Sequence, residues 1–209
     1  QRNAGIAAQR QYEALHDGLT GLANRTLFRM RADRALTQAR AAGGVVGVML
    51  LDLDHFKDVN DTLGHHVGDD LLRQVAGVVG QDLPDGVTLA RLGGDEFAVL
   101  VDDLEDPADA VDIANRIIAS LDAPIMLGNR KVSATASVGI AYATERTTSD
   151  ELLRNADLAM YTAKAGGKNR ACVFEADMHR AAVERLDLEA HLRGAATRGE
   201  LVVQYQPMY

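Results

Sequence analysis

Only one cysteine, Cys172, occurs in 209 residues, and tryptophan is absent altogether. A lone thiol excludes an internal disulfide and any zinc site built on several cysteines, and it fits a reducing compartment, so a cytoplasmic location is expected. No signal peptide is expected either. Long apolar runs are missing too. The longest, VVGVMLLDLD from Val45, contains two aspartates and falls far short of the roughly 20 residues a membrane span needs, so no membrane contact is expected of this segment. Positive charge is in short supply: 22 Lys and Arg stand against 30 Asp and Glu, a formal charge of -8. That balance argues against nonspecific nucleic-acid binding, which rests on many cationic contacts to phosphate. A small anionic ligand stays compatible if a metal or a few cations are placed locally. Lysines number only four, and three of them, Lys57, Lys164 and Lys168, fall in segments that stand out for other reasons. Also missing are a G-x-G-x-x-G and a Walker lysine motif, which argues against Rossmann and P-loop nucleotide sites. There is no repeat of 20 to 50 residues and no low-complexity tract.

What is present suffices for one ample core. Apolar residues make up 47% of the chain and charged ones 25%, which suggests one domain with flanking pieces. Residues 4–16 are helix-compatible and lead into a turn at Asp17-Gly18 and Gly21. Asn24 can cap a helix that runs to about Ala42, with Leu27, Met30, Arg31 and Leu36 giving partial periodicity and Gly43-Gly44 ending it. VVGVMLLDLD reads as a central strand covered on both faces, and alternation puts Asp52 and Asp54 on one face. HFKDVNDTLGHH reads as a short helix ended by Gly64, and VGDDLLRQVAGVVGQDL as a second, with Leu71, Leu72, Val75 and Val79 inward. Residues 88–92 and 95–101 form strands joined at Gly93-Gly94, a hairpin signal because primed turns need positive φ. That register sets Leu92 opposite Asp95 and Arg91 opposite Glu96, a charge pair that offsets part of one acid's desolvation. A helix follows over Pro107 to Leu121, then a hairpin at Gly128-Asn129. VSATASVGIAYA alternates as a half-buried strand. A helix from about Ser149 opens with the capping-box pattern Thr148-x-x-Glu151 and closes at Gly166-Gly167. A charged helix at 177–197 and a strand-like tail complete the chain. This order predicts an α+β domain with a mixed, largely antiparallel sheet covered by helices.

The chemistry concentrates where Asp52 and Asp54 end the central strand and Asp95 and Glu96 leave the hairpin. A sheet that sets these ends side by side gathers four carboxylates, which cannot all stay ionised without a cation. Oxygen-only ligands of this kind suit Mg²⁺ shared with substrate phosphates. The competing reading makes Asp54 a helix cap, Asp95 and Glu96 decoration of an exposed turn, and Asp52 the partner of an arginine.

Together with Gly93-Gly94-Asp95-Glu96-Phe97, four further segments occur in order: DGLTGLANR at 17–25, DLDHFKDVND at 52–61, GHHVGDDLL at 64–72 and NADLAMYTAKAGGKNR at 155–170. On these the chain resembles the GGDEF domain, the diguanylate cyclase family. GELVVQYQP at 199–207 resembles the opening of an EAL phosphodiesterase domain, so the expected organisation is an N-terminal signalling helix (1–16), a GGDEF domain (17–175), a linker helix (176–198) and the start of a truncated EAL domain (199–209). The resemblance implies a fold similar to the palm of nucleotidyl cyclases and polymerases. It also implies condensation of two GTP into cyclic di-GMP with release of two pyrophosphates, using Mg²⁺, with Mn²⁺ as the other acceptable ion. Asp52, the Leu53 carbonyl and Asp95 would hold metal. Glu96 would be essential as second-metal ligand or base, and either Asp95 or Glu96 could take the ribose proton. Asn60 and Asp69 would read guanine, with His65 beside that pocket; an exposed histidine at a helix end fits equally well. Amides around Phe56 and Lys57, with Gly94, would cradle phosphates, Lys57 would stabilise transition-state charge, and Lys164 and Lys168 would take the terminal phosphate.

Two departures stand out. The position of Lys168 is commonly arginine, and lysine lacks the bidentate fork. Many members carry Arg-x-x-Asp beginning nine residues before the first motif glycine, forming a product-inhibition site; here the window reads Pro84-Asp85-Gly86-Val87, so no such site is expected. One pocket per domain against a two-nucleotide product implies a homodimer about a two-fold axis. The alternative is a GTP-binding regulatory module for an adjacent EAL domain.

Overall fold

The computed structural model describes residues 2–200, which fall into two compact units, the first ending in sequence at Phe174 and the second beginning at Glu175. The first begins with α1 (Arg2–Leu15) and α2 (Arg25–Ala42). Asn24 caps α2 as expected, its side chain accepting from the Thr26 and Leu27 amides, and Gly43 ends it at φ 79°, a left-handed conformation that glycine adopts without strain. The stripe that α2 buries is Phe28, Ala32, Ala35 and Leu36. Met30 is exposed instead. Alanines are too small to mark a face in a periodicity, yet they let the helix approach the sheet closely.

β1 (Val45–Asp54) is the central strand of a five-stranded sheet with spatial order β2-β3-β1-β6-β7. It pairs antiparallel with β3 (Glu96–Leu104) and with β6 (Thr135–Tyr142). Its two faces serve two cores. Met49, Leu51 and Leu53 pack into a cluster with residues of α4 (His65–Asp82) and α5 (Pro107–Leu121), while Val46, Val48 and Leu50 pack with residues of α2 and α6 (Ser149–Ala165). Burial on both faces is why this strand reads as a continuous apolar run. Asp52 and Asp54 continue the even-numbered face, toward α6.

Four inward positions expected on α4, Leu71, Leu72, Val75 and Val79, are buried. α5 starts at Pro107 behind an Asp106 and Asp109 capping box, and α6 starts behind the Thr148 and Glu151 box. The hairpin at Gly128 is present as β4 (Ile125–Leu127) and β5 (Arg130–Val132). Two readings are corrected. β6 is buried on both faces rather than one, because α6 covers the face its small polar residues present: Gly139 lies so close to α6 that a Cβ there would sit 2.0 Å from the Ala156 carbonyl oxygen. β7 (Ala171–Val173), too short to show a pattern, adds a parallel edge to β6.

In the second unit, α7 (Ala176–Arg198) occupies the expected charged helix, with Arg198 paired to Glu200 at 2.6 Å. The strand-like tail lies outside the described residues except for Gly199 and Glu200. Among the described residues no helix is long and apolar enough to cross a membrane.

Candidate active site

β2 (Thr88–Gly93) and β3 form the expected hairpin, but a register shift between Arg91 and Gly93 moves its turn by one residue. Gly93 pairs with Glu96, and the turn residues are Gly94 and Asp95. Both glycines have positive φ, 137° and 56°. The expected pairing of Arg91 with Glu96 is therefore absent: Arg91 faces Phe97. Its guanidinium donates through Nε and Nη2 to the Gly94 carbonyl at 3.1 and 2.7 Å, and through Nη1 to both oxygens of Asp17 at 3.0 Å. Arg91 thus ties the acidic turn to the loop after α1. Burial works against the Asp17 carboxylate, but bonds from the Thr20 hydroxyl and amide and from Arg91 outweigh it and hold its pKa below the ordinary value.

The register also sets Asp52 directly across from Glu96, on the same face of adjacent strands, with Asp95 one residue away in the turn. Burial pushes the Asp52 pKa up; Lys164, whose Nζ lies 2.8 Å from Asp52 Oδ2, counters this, while Asp95 and Asp54 add to the rise. Burial likewise raises Glu96. Arg25, with Nη2 3.5 Å away, opposes the rise, and Asp157, Asp52 and Asp95 reinforce it. The result is a partly desolvated group of acids with incomplete cationic compensation.

Asp54 has a different job from the one its place in the cluster suggests. It is buried, accepts from Thr135 Oγ1 at 3.0 Å and Ser137 Oγ at 2.8 Å, and takes the Asn169 backbone N–H at 3.0 Å. Its lone pairs are engaged in fastening β1 to β6 and to the loop after α6. Among the described residues, neither helix capping by Asp54 nor an arginine partner for Asp52 is observed.

α3 (Phe56–Leu63) follows β1 at once. No side chain caps its start, and the Phe56 and Lys57 amides belong to the first turn, which has no carbonyl one turn earlier. Lys57 is exposed there. Leu53 is buried, its side chain in the core. Gly64 turns α3 into α4, and the Asn60 side chain of α3 lies over Gly68 of α4, where a Cβ would stand 2.0 Å from Asn60 Oδ1. The bare glycine leaves room for the Asn60 amide beside the residue preceding Asp69. His65 is exposed at the first position of α4. Lys168, beyond the end of α6, places Nζ 3.1 Å from His55 Nε2.

Sequence reasoning missed Arg25, Asp157 and His55. Asp157 and Lys164 are seven apart, two turns on one helix face, a signal that could have been used. Arg25 and His55 gave none, because their contacts depend on how distant segments meet.

A family model described as "Diguanylate cyclase, GGDEF domain" matches residues 14–170. The chain belongs to the GGDEF family. This GGDEF domain is 44% identical over 195 residues to the bifunctional diguanylate cyclase/cyclic di-GMP phosphodiesterase MucR of Pseudomonas aeruginosa, covering 93% of this chain and 28% of MucR. It is 42% identical to the cyclic di-GMP phosphodiesterase PdeR of Escherichia coli, covering 91% of this chain and 29% of PdeR. With the diguanylate cyclase TpbB of P. aeruginosa it shares 40% identity, over 90% of this chain and 43% of TpbB. The crystallised GGDEF domain of TpbB superposes with a TM-score of 0.77 at 42% identity, covering 80% of this chain and 98% of that one. The chain thus spans between about a quarter and under half the length of these curated relatives.

Proposed function

We propose that this GGDEF domain is a diguanylate cyclase that condenses two GTP into cyclic di-GMP and two pyrophosphates, acting as a homodimer with one GTP per subunit. The observation that carries the reading is the placement of Asp52 opposite Glu96, with Asp95 in the adjoining turn and the uncapped start of α3 alongside. Oxygen donors that are partly desolvated and repel one another suit a hard divalent cation. The expected gathering of four carboxylates is not seen: among the described residues no three acidic, histidine or cysteine side chains converge closely enough to hold an ion by themselves, and in this reading substrate phosphates and water would have to complete the coordination. Asp52, the Leu53 carbonyl, Asp95 and Glu96 would hold Mg²⁺ or Mn²⁺. The ion supplies charge neutralisation at the phosphates.

The remaining work falls to this chain's own groups. The Phe56 and Lys57 amides and Gly94 cradle phosphate oxygens at a helix start, where backbone dipoles favour anions. Lys57 stabilises charge developing at the reacting phosphate. Lys164 leaves Asp52 to meet the terminal phosphate, joined by Lys168. Asn60 and Asp69 read the guanine edge beside His65, a polar readout that rejects adenine because it would leave partners unpaired. Asp95 or Glu96 accepts the ribose 3'-proton. Two domains face each other, and each 3'-hydroxyl attacks the other nucleotide's α-phosphate in line. Incubation with GTP and Mg²⁺ followed by nucleotide separation tests this. Cyclic di-GMP should form, and Asp95→Ala or Glu96→Ala should lower its rate by about a thousandfold with the fold retained.

Residues 176–198 serve as a linker helix to an EAL phosphodiesterase domain in a longer cytoplasmic protein, and α1 transmits a signal from the preceding segment. The likeness to PdeR, described as a cyclic di-GMP phosphodiesterase, favours a second reading, in which the domain binds GTP and regulates such a phosphodiesterase without turning GTP over. GTP binding with no product in the same assay would select it.

Product feedback through the usual surface is not expected. Pro84 to Val87 line a groove of about 570 Å³ whose other walls include Asp102, Asp103, Glu105, Asp109 and Asp112 against a single Arg116. That wall repels an anionic dinucleotide. Cyclic di-GMP added at the start of the assay should leave the initial rate unchanged.

A further inference from the structure

Residues on two facing segments take left-handed conformations that side chains rarely adopt: His55 at φ 62°, and Lys168 and Asn169 at 63° and 45°. A non-glycine residue kept there costs free energy that the surroundings must offset, and such strain gathers at functional sites. Here the surroundings are specific. The Asn169 amide is held by buried Asp54. His55 meets Lys168 Nζ through Nε2 at 3.1 Å and Asp58 Oδ2 through Nδ1 at 3.1 Å. A lysine ammonium can only donate, so Nε2 accepts from it and the ring proton sits on Nδ1, donated to the Asp58 carboxylate. The imidazole is therefore oriented from one side and presents its lone pair to the amine on the other.

His55 also immediately precedes the Phe56 and Lys57 amides at the open start of α3. The contact brings the Lys168 amine to the helix start at which phosphates are expected. Without it, a lysine side chain with four rotatable bonds would sample a wide volume and lose entropy on meeting its ligand.

We propose that His55 is a positioning residue: the Asp58, His55 and Lys168 chain aims the Lys168 amine at the terminal phosphate and so sets preference for a triphosphate over a diphosphate. The inference rests on the reading that Lys168 meets that phosphate.

Binding of 3'-deoxy-GTP and 3'-deoxy-GDP, which lack the attacking hydroxyl and cannot turn over, tests it by titration calorimetry on the whole 209-residue chain. His55→Gly is the informative variant, since glycine accepts the left-handed backbone and removes only the imidazole. It should lower the triphosphate-to-diphosphate affinity ratio by about three- to tenfold, the range expected for one hydrogen bond, and leave diphosphate affinity unchanged. Lys168→Ala should lower the ratio at least as far, and His55→Gly added to Lys168→Ala should lower it no further. Asp58→Ala should give a smaller change in the same direction. If Lys168→Ala lowers the ratio and His55→Gly does not, the positioning role is overturned while the phosphate contact stands. An unchanged ratio in Lys168→Ala overturns both.

Discussion

At the scale of single residues, Arg91 shows how little a local register says about a long side chain's partner. Its guanidinium passes over Glu96 to grip Asp17, 74 positions away, and both side chains are largely buried, 12% and 19% exposed. Removing one member of such a pair leaves the other charge desolvated and unpaired. Asp17→Asn should cost about 2 kcal/mol at neutral pH in urea unfolding. The sign of its pH dependence follows from the depressed carboxyl: the stabilisation is present above the unfolded-state value and lost as pH falls through the folded one. The gap between Asp17→Asn and the natural protein should therefore close below about pH 4. A gap that persists undiminished at pH 2 would mean that packing, not charge, holds the turn.

Among the elements, the approach of α6 to β6 has the narrowest tolerance. A Cβ at Gly139 would lie 2.0 Å from the Ala156 carbonyl oxygen and 2.2 Å from the Met160 nitrogen, both backbone atoms that cannot swing aside. Gly139→Ala should destabilise by about 3 kcal/mol, the upper part of the usual range for overpacking. Thermal unfolding checks the loss. The same helix carries Lys164 and Asp157 toward the acids, so an expelled α6 should also lower activity at temperatures where the fold survives. Element positions were readable because their signals are local: Asn24, Thr148 with Glu151, and Gly43 mark helix ends wherever the helices later pack. β7 was not readable, since three residues carry no period and the strand forms by pairing with the parallel edge of β6.

For the whole molecule, stoichiometry makes the strongest demand. Under the proposed function, with one nucleotide site per domain, joining two nucleotides would take a second copy of the chain. Initial rates should rise faster than linearly with protein concentration while dimers are sparse. Strict proportionality in a sample shown by sedimentation to be monomeric would refute the two-fold arrangement.

Sequence by itself determined the central strand, the helix caps, the α+β order and the segments that hold Asp52, Asp95 and Glu96, because alternation, capping chemistry and turn glycines act over a few residues. Only the tertiary structure decided that Asp52 stands across from Glu96, that Asp54 fastens strands and loop, that Arg91 leaves Glu96 for Asp17, and that His55 meets Lys168. Those outcomes turn on register shifts and close approaches between segments up to 115 positions apart, and electrostatic pairing is settled by distance in space, which no local pattern encodes.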